Sequence, residues 1–135
     1  MNAYRTTASS EHERLEEEQW ARLLAAGSSR CGMALVFIQK LCTAFHEFEP
    51  AWRAGALTES ALDHFRRRLA ARATKVIAAL DANDLARIAG YDELVALTTL
   101  IASAGSLRAL ADLADPIHDL NHRLCEELER RALAE

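Results

Sequence analysis

The chain has 135 residues, of which 50% are apolar and 27% charged, with a net charge of -4, five glycines and two prolines. That length can bury one hydrophobic core without disulfide or metal staples, and the scarcity of Gly and Pro excludes a turn-rich all-β fold and extended disorder. The acidic balance disfavours nucleic acid as a partner, because phosphate binding draws on clustered Lys and Arg.

The chain is expected to form one helical domain over residues 1–135, with residues 1–8 disordered. The first residues lack the apolar core of a secretory signal, and no later run is long and apolar enough to span a bilayer, so a cytoplasmic protein with no membrane partner is expected. Ser10 and Glu13 fit a capping box that opens a helix to about Ala26, acidic in its early turns from Glu11 to Glu18. Gly27, Ser28 and Ser29 then break the chain.

A second helix is predicted from about Arg30 to Phe48, on the three-four spacing of Cys31, Ala34, Ile38, Leu41, Phe45 and Phe48. Pro50 disfavours helical geometry at Glu49, so Glu49 to Leu57 is read as a connection. Thr58 is the expected cap of a third helix, with Leu57 and Leu62 as a hydrophobic staple. Leu62, Phe65, Leu69, Ala73, Val76 and Leu80 form its buried seam, and Arg66, Arg67, Arg68, Arg72 and Lys75 its basic face. With no aromatic residue interleaved, that face suits an acidic protein partner better than nucleic acid. Asp81 to Asp84 is a turn, and Gly90 ends a short helical segment from Leu85 to Ala89.

Two further apolar stripes follow. Leu94, Leu97, Ile101 and Ala104 make the first, and Leu107, Leu110, Leu113, Ile117, Leu120, Leu124 and Leu128 the second. Between them, Gly105 is placed to take a left-handed stop conformation and Ser106 to cap the next helix, which predicts a helical hairpin. Asp115-Pro116 reads as a cap followed by proline at the first helical position, although the leucine register crosses it unbroken. Either a kinked helix or two nearly coaxial ones satisfies both signals.

The run from Tyr91 to Leu107, YDELVALTTLIASAGSL, resembles the core of histidine-containing phosphotransfer domains, four-helix bundles with an Ala-His-x-Leu-Lys-Gly motif. The match puts Thr98 at the histidine, Leu100 at the leucine, Ile101 at the lysine and Ala102 at the glycine. The resemblance implies a signalling adaptor that docks a partner around Thr98. Phosphoryl transfer needs a nucleophilic imidazole with a cation beside it, and Thr98 and Ile101 supply neither.

A second constellation lies on the last helix. His118, His122, Cys125 and Glu129 are spaced to share one helical face at about 100° per residue, and such a stack could offer ligands to zinc or another transition metal. That face is turned away from the leucine stripe, and so toward solvent or a partner chain. Cys31, Cys42 and Cys125 form no C-x-x-C pair and are read as reduced thiols. No nucleophile elbow or phosphate-cradling glycine loop is present, which makes an enzyme the minority reading.

These signals converge on an all-α, antiparallel four-helix bundle with an additional N-terminal helix. The expected function is a non-catalytic protein-interaction module without cofactor, docking another protein or itself as a homo-oligomer. Thr98, Arg66, Arg67, Arg68 and Arg72 are its candidate interaction residues. The alternative is a metal-binding bundle built on His118, His122, Cys125 and Glu129.

Overall fold

The computed structural model describes residues 31–134. The predicted N-terminal helix lies outside them. The described chain is all-α: α1 (Gly32–Arg53), a 3-10 turn (Glu59–Ala61), α2 (Leu62–Ala82), α3 (Tyr91–Ala102), the single-turn α4 (Leu107–Ala111) and α5 (Ala114–Ala134). No helix among these residues is long and apolar enough to cross a membrane.

Each long helix folds its apolar stripe inward, as the three-four spacing requires. α1 buries Ala34, Leu35, Ile38, Leu41, Ala44, Phe45 and Phe48. From α2 come Leu69, Ala73, Val76, Ala79 and Leu80, and from α3 Leu94, Leu97 and Ile101. α5 adds Ile117, Leu120, Leu124 and Leu128, so one contiguous cluster forms the core. The helices close a ring in which α1 packs on α2 and α5, and α3 on α2 and α5.

Side-chain contacts give the directions. Arg68 reaches Glu47 while Lys75 lies over Phe37, so α2 runs antiparallel to α1. Tyr91 bonds Asp81 at one end of α2 and Arg66 bonds the Ala104 carbonyl near the other, so α3 returns antiparallel to α2. His118 stacks on His46 and Asn121 bonds Cys42, which sets α5 antiparallel to α1.

Several boundaries differ from the sequence reading. α1 continues through Pro50 to Arg53. An interior proline costs about 3 kcal/mol, but it falls in the last turn here. Phe48 is fully buried, Trp52 packs on the core and Arg53 pairs with Glu49 at 2.9 Å, so tertiary contacts hold the extra turn. Thr58 makes no side-chain cap; its hydroxyl meets that of Ser60 at 2.6 Å, and a 3-10 turn precedes α2.

Leu85 to Ala89 is a chain of turns instead of a helix, with Asp84 at φ 58 and both Leu85 and Ile88 pinned into the core. Gly90, at φ +99, starts α3 instead of ending a helix. The positive φ favours glycine there, and a Cβ would sit 2.9 Å from Leu120 Cδ1, so any larger residue would also push that side chain aside.

At the far end of α3, Gly105 is not in the left-handed region, and Ser103 closes the helix instead. Ser106 does cap α4, accepting from Ala109 N at 3.0 Å. The long leucine stripe is divided between α4 and α5, and since α5 starts at Ala114, Asp115 lies within its first turn and is not the cap. Pro116 is also in that first turn, where a missing N–H breaks no intrahelical bond.

Candidate functional site

The outward side of α3, the helix that carries Thr98, has a consistent chemistry. From Leu94 to Leu107 the chain has no charged residue. With Leu94, Leu97 and Ile101 taken into the core, Val95 and Leu100 are left 39% and 51% exposed, beside exposed Ala96, Thr99 and Ala102. The hydroxyls along this helix turn back onto its own carbonyls: Thr98 to Leu94 at 2.7 Å, Thr99 to Val95 at 3.2 Å and Ser103 to Thr99 at 2.9 Å. Such back-bonding satisfies the polar groups locally. Thr98 is half-buried, its proton engaged in the helix.

The arginines do not form the single basic face expected of them. Successive helical residues are rotated by about 100°, so Arg66, Arg67 and Arg68 diverge. Arg66 donates to the Ala104 carbonyl at 3.1 Å and to Asp63 at 3.0 Å. Arg67 pairs with Asp63 at 3.1 Å, and Arg68 crosses to Glu47 at 2.8 Å. Of the three, Arg66 is the one that hydrogen-bonds the chain just past the end of α3. Arg66 and Arg67 line a shallow pocket of about 420 Å³ with Asp63, Ala70 and Ala102. Arg72 is half-buried and stands apart from that pocket's lining.

The proposed metal ligands also separate. His118, His122 and Cys125 do line one pocket of about 220 Å³, but with Gln39, Cys42 and Asn121, and without Glu129. The pocket lies between α1 and α5, so the expectation that the whole stack faces solvent is corrected: His118 is half-buried, with its ring on His46 at 5.1 Å and edge-on to Phe45 at 6.1 Å. His122 remains exposed, with Nε2 3.1 Å from Glu126 Oε1. Among the described residues, no three or more His, Cys, Asp or Glu side chains are grouped as a metal would need them.

Gln39, Cys42 and Asn121 are the members of this pocket that sequence reasoning missed. The Asn121 amide donates to Cys42 Sγ at 3.2 Å, while its Oδ1 is buried with no partner among the described residues. Burial pushes both neighbouring thiols up, and Cys125 reaches about 12, with the Cys42 and Glu129 charges adding to the effect. Thiols held protonated in this way are poor nucleophiles. Nothing in the spacing of Cys42 relates it to Cys125; their proximity depends on how α1 and α5 pair.

One unforeseen contact ties the hairpin joint to α2. Glu59, in the 3-10 turn, accepts from Leu107 N at 3.2 Å, and Arg66 holds the Ala104 carbonyl from the adjoining turn. The joint is therefore fixed from both sides, which holds the outward side of α3 in place. Compared with family models, curated proteins and solved structures, the chain matches none.

Proposed function

We propose that the protein is a non-catalytic interaction module that docks its partner on the outward side of α3. The observation that carries this reading is the uncharged run from Leu94 to Leu107, with Val95 and Leu100 left exposed at the middle of a helix whose polar groups are already satisfied. Exposed apolar groups collected on one rigid element favour burial against another protein. The same helix bears the phosphotransfer resemblance, and Thr98 at its centre has neither the imidazole nor a neighbouring cation for phosphoryl transfer. A silent adaptor that engages a receiver domain without phosphorylation fits these features, and self-association through the same side is the second form of the same reading.

Titration of the full chain against unphosphorylated receiver domains, together with sedimentation equilibrium of the chain alone, tests the proposal. Either receiver binding or a concentration-dependent mass is expected in the wild type. Leu100→Glu, an exposed substitution that leaves the core intact, should abolish it. A strictly monomeric chain that binds no receiver, or an association unaffected by Leu100→Glu, would overturn the reading.

A further inference from the structure

The fold segregates charge in a way the overall balance of -4 hides. α1 has no acidic residue from Gly32 to His46, and α2 has none from His64 to Leu80. These two stretches pack together, so among the described residues their shared outer surface is basic. Along it, the ammonium groups of Lys40 and Lys75 lie 5.8 and 5.9 Å from the ring centroid of Phe37, one from each helix. Cations within about 6 Å of an aromatic ring are attracted by its quadrupole, so Phe37 gathers the two charges at one place. Arg72 stands one helical turn from Lys75 on the same stripe of α2, and Met33 one turn before Phe37 is 55% exposed. Among the described residues, no carboxylate pairs with Lys40, Arg72 or Lys75, whereas Arg66, Arg67 and Arg68 are all engaged by Asp63 or Glu47.

We infer that this α1/α2 surface receives an acidic amphipathic segment of a partner protein, an apolar side chain seating on Met33 and Phe37 while carboxylates meet Lys40, Arg72 and Lys75. Charge complementarity selects the partner's sign, and the exposed Met33 selects a segment with an apolar side. Nucleic acid fits less well. Three uncommitted cations are few for tracking a phosphate backbone, and Phe37 is a single ring where single-strand binding uses successive stacking platforms. The inference stands apart from the α3 proposal, because the residues it uses lie on other helices.

Fluorescence anisotropy on the full chain tests it with defined probes. The first probe is a labelled helical peptide with leucine at every third or fourth position and glutamate on the remaining side; the second replaces its glutamates with glutamine. An oligothymidylate and anionic phosphatidylserine vesicles complete the set. The acidic peptide should bind with an affinity that falls as salt rises, and the glutamine version should bind far more weakly. Reversing two rim charges in Lys40→Glu/Lys75→Glu should weaken it about tenfold, equivalent to about 1.4 kcal/mol, while Arg87→Glu on the α2–α3 turn leaves it unchanged. Absence of peptide binding, indifference to the double reversal, or equal affinity for oligothymidylate or vesicles would overturn the inference. Leu100→Glu should leave peptide binding intact, so failure here and failure at α3 are read separately.

Discussion

Asn121 shows how a single polar residue can sit inside an apolar interface at a cost. It is 2% exposed between α1 and α5, its amide nitrogen meets only the weak acceptor Cys42 Sγ, and its Oδ1 has no partner among the described residues. An unsatisfied buried carbonyl costs about 1–3 kcal/mol, more than a weak N–H···S bond returns. The adjoining pocket of about 220 Å³ leaves room for a somewhat larger side chain. Asn121→Leu should therefore raise stability by about 1 kcal/mol, read as a higher urea midpoint at unchanged m-value. A loss of similar size would mean that Asn121 is held by a bond the geometry does not account for. The linear order of residues does not say what position 121 touches. Arg68 is the counterpart on α2: adjacent to Arg67 in sequence, it is committed to Glu47 on α1, and that pairing exists only because two helices lie side by side.

Among the elements, the joint between α3 and α4 is held more firmly than its own residues require. Ser106 caps α4 through Ala109, as its position predicts. A five-residue helix has little intrinsic stability, and the second clamp is Glu59, reaching from the 3-10 turn before α2 to Leu107 N. Removing that carboxylate leaves a first-turn N–H without its acceptor. Glu59→Ala should cost about 1 kcal/mol, in the range of a lost helix cap, and hydrogen exchange at Leu107 should accelerate while the core amides of α5 keep their protection. Unchanged exchange at Leu107 would sink this account. α1 illustrates the converse: Pro50 is a local stop signal overridden by burial of Phe48 and packing of Trp52.

Across the whole molecule, the packing of α5 on α1 makes stability depend on alkaline pH. An unfolded thiol titrates at about 8.5, while Cys125 in the fold is pushed up to about 12, chiefly by burial, and Cys42 is raised in the same direction. A folded pKa above the unfolded one means that the unfolded chain releases its proton first as pH rises. The associated stability is full below about pH 8.5 and declines toward the folded value, at a slope of up to about 1.4 kcal/mol per pH unit for one thiol. Urea unfolding between these limits should show a steeper alkaline loss for the wild type than for Cys125→Ala; parallel curves would contradict the assignment.

The sequence by itself determined the all-α class, the four apolar stripes, the Ser106 cap and the seam of α2. Each of these follows from helical periodicity or from one residue's local chemistry, which a linear order of residues records. Tertiary structure decided the rest: the turns from Leu85 to Ile88, the passage of α1 through Pro50, the dispersal of the arginines among different partners, and the meeting of Cys42 with Asn121 and Cys125. It also set Lys40 and Lys75 around one phenylalanine and left Val95 and Leu100 outside the core. These features depend on which helix faces lie against each other, a property set by the packing of distant segments and by which apolar groups the core has room to bury.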